Sequence, residues 1–319
     1  EVFVRCGWGE VPAAQLTAAS SDASFRRYFR WQGGERSLIV MDAPPPQEDC
    51  RPFVKVAQML DQAGVHVPQI LASDLERGFL LLTDLGRQTY LDVIDQSNAG
   101  QLFEDAVEVL LKFQLHPVTQ PMPAYDEALL RRELQLFPEW YVQRHLGHTL
   151  TEAQQAAWER ICRQLIDSAL AQPRVLVHRD YMPRNLMISE PNPGVLDFQD
   201  AVLGPVSYDI TSLFKDAFLS WPEAQVRAWL EGYWHKARAA GVTLPESLGE
   251  FLRASDLMGA QRHLKVIGIF ARICHRDGKP RYLADVPRFF AYIEAVLARR
   301  PELAELQQLL AELPQAPHA

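Results

Sequence analysis

Three short apolar runs, Arg174 to Val177, Asn185 to Ser189 and Gly194 to Phe198, lie so close together that the chain between them can form only loops. The first loop is His178-Arg179-Asp180-Tyr181-Met182-Pro183-Arg184-Asn185, and the second is the turn Pro191-Asn192-Pro193-Gly194. Runs of this length and composition read as buried strands, and the residues between the last two reverse the chain. This pattern brings Asp180, Asn185 and Asp197 towards one place. One loop presents Asp180 and Asn185 together, and the hairpin returns Asp197 beside them. A carboxylate able to orient a hydroxyl and accept its proton, next to two hard oxygen donors suited to magnesium, is what phosphoryl transfer from a nucleotide requires. Asp180 is therefore expected to be the base, and Asn185 and Asp197 the magnesium ligands. Asp200 is expected either to bind a second magnesium or to serve as an exposed hydrogen-bonding group.

The remaining chain reads as a small β-rich part followed by a larger helical one, an α+β arrangement. Strands are expected at Phe25 to Trp31, Ser37 to Met41 and Phe79 to Leu82, with a helix from Pro52 to Ala63 whose apolar positions Phe53, Val56, Ala57 and Leu60 recur at helical spacing. Composition changes at Thr83-Asp84-Leu85-Gly86, so residues 1–85 are expected to form one lobe and 86–319 the other. Helices are expected at Gln101 to Leu115, at Asp126 to Arg144, after Thr151-Glu152-Ala153-Gln154 as a capping box, and from Tyr208 onward.

With 32 basic against 40 acidic side chains the net charge is -8, which provides no global positive field for nucleic acid or anionic lipid. The four cysteines are scattered without metal-ligand spacing and are expected to be reduced thiols. The apolar stretches are too short to span a bilayer, and the first residues lack a basic region followed by an apolar core. A cytoplasmic protein without an obligate protein partner is expected. Because it opens on Glu1, a few native residues are expected ahead of it.

The motif H-R-D-x-x-x-x-N at 178–185, followed by Asp197-Phe198-Gln199-Asp200 and Gly204-Pro205-Val206-Ser207-Tyr208-Asp209-Ile210, resembles the aminoglycoside phosphotransferase family. That resemblance implies a bilobal protein-kinase-like fold, ATP as phosphoryl donor and Mg2+ as cofactor. It further implies that His178 packs under the catalytic loop, that Asp209 braces that loop, and that Arg184 lies near the acceptor. The nucleotide is then expected against Ser21, Ser24, Phe25 and the boundary residues Thr83, Asp84 and Leu85. Within the family, SSDASFRRYFR, IVMDAPPP, LVHRDYMPRNLMIS and HLKVIGIFARICHRDGKPRYL are similar to bacterial amino-sugar kinases of peptidoglycan recycling. This implies the anomeric hydroxyl of N-acetylmuramate and N-acetylglucosamine as acceptor. An antibiotic-modifying hydroxyl kinase and a non-catalytic pseudokinase are the alternatives.

The chain departs from the protein-kinase pattern at Met41, which stands where the strand lysine is expected. Either catalysis has been lost or an arginine replaces the lysine, and Arg26, Arg27 and Arg30 are the candidates because guanidinium binds phosphate bidentately. A second basic feature is Arg262, Lys265, Arg272 and Arg276, spaced to share one helical face opposite His263, Val266, Ile267, Phe270 and Cys274. This face is expected either to meet an uncharged or anionic acceptor or to be a solvated stripe.

Overall fold

The structure, a computed structural model, describes residues 16–20, 25–33 and 36–314. Ser21 and Ser24, expected at the phosphates, lie outside the described residues. By their contacts the residues form two compact units, one running to His116 and resuming at His178–Ala201, the other comprising Pro117–Val177 and Val202–Ala319. This division differs from the boundary expected at residue 85. The segment His178–Ala201 and the helix Ala99–Leu115 fall in the same unit as the strands, because the loop's own anchors lie there.

The first unit is built on a five-stranded antiparallel sheet in the order β1-β2-β3-β5-β4, with β1 Leu16–Ser20, β2 Arg27–Gly33, β3 Arg36–Asp42, β4 Ile70–Asp74 and β5 Phe79–Thr83. β1 and β4 were not legible as strands, being short and mixed in polarity. Side chains alternate between the faces. Phe29 and Trp31 pack with Leu38, Val40 and Leu81 on one face. Tyr28 pairs with Met41 and Arg30 with Ile39 on the other, and Met41 is fully buried there. The helix Arg51–Gln62 buries Phe53, Val56, Ala57 and Leu60, as their spacing predicts.

In the second unit β6, Arg174–Val177, pairs with β9, Val202–Pro205. Against β9 packs Glu152–Leu170, which opens with the predicted Thr151–Gln154 capping box, and against that helix packs the long helix Leu248–Asp277. The single helix expected from Asp126 to Arg144 is instead Glu127–Leu134 followed by a π-helix, Phe137–His145. Pro138 supplies the reason, since it has no N–H for the ladder and its ring crowds the preceding turn. The hairpin strands β7, Leu186–Met187, and β8, Gly194–Val195, are shorter than expected. No helix among the described residues is long and apolar enough to cross a membrane.

Candidate active site

The loop 178–185 is held from beneath by His178, whose side chain is fully buried. Its Nδ1 accepts the Asp180 backbone N–H at 3.2 Å, and its Nε2 lies 2.9 Å from the Leu196 carbonyl. A ring that accepts at Nδ1 and donates at Nε2 is a neutral imidazole in a defined tautomer. Phe113 and Tyr181 flank it, with ring centroids 6.1 and 5.6 Å away. The Tyr181 hydroxyl donates to the Ala106 carbonyl at 2.8 Å, which ties the loop to the Ala99–Leu115 helix. His178 thus joins the loop bearing Asp180 to the strand end preceding Asp197.

Asn185 is buried at the end of the short 3-10 turn Pro183–Asn185. Its Nδ2 donates to the Asp180 carbonyl at 2.8 Å, and its own carbonyl accepts Leu196 N–H at 2.9 Å. The amide nitrogen is thereby committed to protein, so the amide oxygen is the atom left to bind a cation. Asp197 is exposed, and Gln199 Nε2 donates to its Oδ1 at 2.7 Å. Phe198, fully buried, packs against Phe53 with centroids 4.8 Å apart. An amide oxygen and a carboxylate fit magnesium, which prefers hard oxygen donors and retains part of its shell for phosphate and water.

Two residues here have left-handed backbone without being glycine: Arg179 at φ 78° and Asp197 at φ 63°. Such conformations cost of order 1 kcal/mol each and persist where surrounding contacts over-determine them. Arg179 directly precedes Asp180, and Asp197 is itself the second carboxylate that the sequence singled out. Asp180 is half-buried, and Arg184 is half-buried one residue ahead of Asn185.

The three arginines of the first unit have different surroundings. Arg26 pairs with Glu48 at 3.1 Å, both side chains about 15% exposed. Burial pulls its pKa down, but Tyr28, Glu48, Asp197 and Asp200 together raise it above the usual value. Arg27 is mostly exposed and pairs with Asp42, its cross-strand neighbour. Arg30 is drawn to Asp84. The sequence assigns no role to Glu48 or Gln199: Gln199 stands in the motif beginning at Asp197 without a signal for its bond to that carboxylate, and Glu48 lies in a loop and carries no local signal.

Phe25 is 68% exposed at the edge of the described residues. Thr83 exchanges bonds with Gln69, accepting the Gln69 N–H at its hydroxyl and donating its own N–H to the Gln69 carbonyl. Leu85 is buried.

In the second unit Asp209 is buried on the helix Tyr208–Phe214. The expected single stripe on Leu248–Asp277 is corrected. Arg262 is 1% exposed and reaches the Lys215 carbonyl, while Lys265 is buried in an ion pair with Glu133 at 3.0 Å and donates to the Tyr208 hydroxyl at 3.0 Å. Both faces of this helix are covered by neighbouring helices, so spacing alone misplaced its cations. Arg276 is exposed and bonded to Asp277. Arg272 is half-buried with no hydrogen-bond partner at Nε; burial and then Arg276 lower its pKa.

The family model described as phosphotransferase enzyme family matches residues 15–251. The chain is 72% identical over 319 residues to the N-acetylmuramate/N-acetylglucosamine kinase of Pseudomonas aeruginosa, covering 100% of this chain and 94% of that protein. Identity to the protein of that name from Caulobacter vibrioides is 32%, over 94% and 92%. Among solved structures, a gentamicin complex of an aminoglycoside phosphotransferase superposes with a TM-score of 0.59 at 16% identity, covering 86% of this chain and 90% of that one. This is the bilobal protein-kinase-like fold expected from the motif. The family match covers most of the chain, including the loop with Asp180, Asn185 and Asp197, and the chain belongs to the phosphotransferase enzyme family.

Proposed function

We propose that this phosphotransferase is an ATP-dependent kinase acting on the anomeric hydroxyl of N-acetylmuramate and N-acetylglucosamine, producing the α-1-phosphate for cell-wall recycling in the cytoplasm. The observation that carries this reading is the coincidence of two things: 72% identity over the whole chain to a kinase named for those sugars, and a doubly anchored loop presenting Asp180 and Asn185. Asp180 accepts the proton of the attacking hydroxyl. Asn185, through its amide oxygen, and Asp197 hold Mg2+. Magnesium, when bound, neutralises charge on the phosphates of the donor. Arg26 replaces the lysine that Met41 cannot supply, with Glu48 fixing its guanidinium. Support for Arg26 over its neighbours is electrostatic: Arg27 and Arg30 are engaged by Asp42 and Asp84, whereas Arg26 feels Asp197 and Asp200. Thr83, Asp84 and Leu85 receive the nucleotide base, and Phe25 borders the phosphates.

A coupled nucleotide assay with both sugars and an aminoglycoside tests the reading. Turnover with both sugars and none with the antibiotic is expected; ATP consumption with the antibiotic alone, or with no acceptor, overturns it. On the acceptor side Arg272 is the residue we carry forward from the basic helix, because its Nε lacks a partner. A charge-assisted hydrogen bond of about 1.5–3 kcal/mol to the lactyl carboxylate predicts that Arg272→Ala costs roughly ten- to hundredfold in kcat/KM for N-acetylmuramate. N-acetylglucosamine, which has no carboxylate, should be spared, and an equal loss for both sugars removes Arg272 from the acceptor site.

A further inference from the structure

The linker leaving β5 is gripped by side chains from β2 and β3. Arg30 on β2 donates from Nε to Asp84 Oδ2 at 2.6 Å and from Nη2 to Asp84 Oδ1 at 3.0 Å. The same Nη2 reaches the Gly86 carbonyl at 2.6 Å. Ser37 on β3 donates its hydroxyl to Asp84 Oδ2, and the Gly86 N–H donates to Asp84 Oδ1 at 3.1 Å. Four donors therefore converge on one carboxylate. The Arg30 and Asp84 side chains are only 12% and 6% exposed. Burial by itself would raise the Asp84 pKa, but the bonds from Arg30, Ser37 and Gly86 outweigh it and hold the group below the usual carboxylate range.

The backbone inside this grip has one shape. Gly86 has φ 110°, a conformation that glycine adopts without the clash of a β-carbon. Leu85 is fixed from the other side, where a β-carbon on Gly194 would lie only 2.8 Å from its Cδ1. Just beyond, Gln88 accepts the Ile188 N–H at 2.9 Å, so the linker also lies along the hairpin that carries Asp197.

A carboxylate filled by four protein donors has little capacity left for a ligand, so only the backbone of residues 84–86 can recognise one. We propose that Arg30 is a positioning residue for the phosphoryl donor: it sets the linker backbone that reads the nucleotide base, and thereby determines base selectivity without touching the nucleotide. This inference rests on the reading of Thr83, Asp84 and Leu85 as the base site. Its physical basis is pre-organisation. A loose linker must be ordered when the base binds, and a latch removes that cost in advance. Lysine cannot replace the latch, because a single ammonium does not span Asp84 and the Gly86 carbonyl as the planar guanidinium fork does.

The test compares wild type with Arg30→Lys and Arg30→Met. Affinities for Mg-ATP and Mg-GTP are measured by displacement of a fluorescent nucleotide without acceptor, followed by kcat and both KM values in the sugar assay. The expected result is about tenfold weaker ATP binding and a matching rise in the KM for ATP in both variants, the cost of ordering a released linker. The ratio of ATP to GTP affinity should contract, while kcat at saturating ATP and the sugar KM stay within about twofold. An unchanged ATP affinity with a lowered melting temperature would reduce Arg30 to a structural role and overturn the proposal. So would equal losses in every kinetic parameter. Should the Arg30 variants fail to fold, Ser37→Ala removes one donor only. It is expected to weaken ATP binding by about two- to fivefold, and no shift rejects the latch. Wild-type protein that binds ATP but phosphorylates neither sugar would sink the proposed function and leave the binding measurements to decide the latch. Wild-type protein that binds neither nucleotide would end both the base-site reading and the latch.

Discussion

Asp180 illustrates how much of a residue's role is fixed by its immediate neighbours. The Asp180 N–H is held by His178 and its carbonyl by Asn185, so the backbone on both sides of the carboxylate is immobilised while the side chain stays half-buried. Asp180→Asn retains both bonds. It is expected to fold and bind nucleotide normally while losing about 10²- to 10⁴-fold in kcat, the usual contribution of a positioned base. Turnover above half of wild type would remove Asp180 from that role. The arginines form a second residue-scale contrast. Losing the Arg26 charge, which Asp197 and Asp200 influence electrostatically, should raise the KM for ATP or cut kcat roughly ten- to hundredfold in Arg26→Ala. Arg27→Ala, which removes a mostly exposed guanidinium from its pair with the buried Asp42, is expected to stay within about threefold in both parameters, since strand alternation puts Arg27 on the face opposite Met41. Two similar outcomes would reopen the question of what neutralises the phosphates.

Among the elements, the contact between the helix Leu248–Asp277 and the start of the π-helix Phe137–His145 is sensitive to a single atom. Gly268 sits against the backbone carbonyl of Leu136, and a β-carbon there would overlap it. The cause is close helix approach, since Gly268 lies mid-helix with ordinary helical backbone and glycine is otherwise unfavourable in such a position. Gly268→Ala is accordingly expected to destabilise the protein by about 1–3 kcal/mol despite the better helix propensity of alanine. Thermal unfolding reads this directly, and an unchanged or raised melting temperature would show that the two helices separate at no cost. The same helix explains the misjudged stripe. Its cations do recur at steps of three and four, but Glu133 and Tyr208 lie on elements more than fifty residues away, and only packing brings them to Lys265.

At the scale of the whole molecule, stability should depend on pH through a histidine that no site uses. His263 is completely buried between the rings of Phe289 and Tyr292, with no hydrogen-bond partner on either nitrogen. Burial first, then the charges of Lys215 and Arg262, pull its pKa well below the ordinary value. The unfolded chain, whose histidine titrates near 6.5, then binds a proton that the folded chain refuses, so stability is present above about pH 6.5 and falls as pH drops below it. Buried Asp216 has a raised pKa and the opposite sign, losing stability as pH rises through the acidic range, so the variant comparison is what isolates the histidine. Urea unfolding of wild type and His263→Leu between pH 7 and pH 5 should show a flatter profile in the variant. Parallel profiles would mean that His263 is not the group. The same distinction between local and distant information separates what was legible from what was not. Legible in the residues alone were the loop of Asp180 and Asn185, the hairpin bringing back Asp197, a β-rich part followed by a helical one and the capping box at Thr151, because these depend on turn chemistry, periodicity and spacing over a few residues; the short strands β1 and β4 and the helix break near Pro138 were not. Packing between distant segments set which carboxylate each arginine pairs with, Glu48 for Arg26, Asp42 for Arg27 and Asp84 for Arg30, where the chain divides into units and that Arg262 and Lys265 are buried. Each of those depends on a partner remote in sequence, and in a close-packed interior the side chain takes whichever partner the fold brings within hydrogen-bond reach.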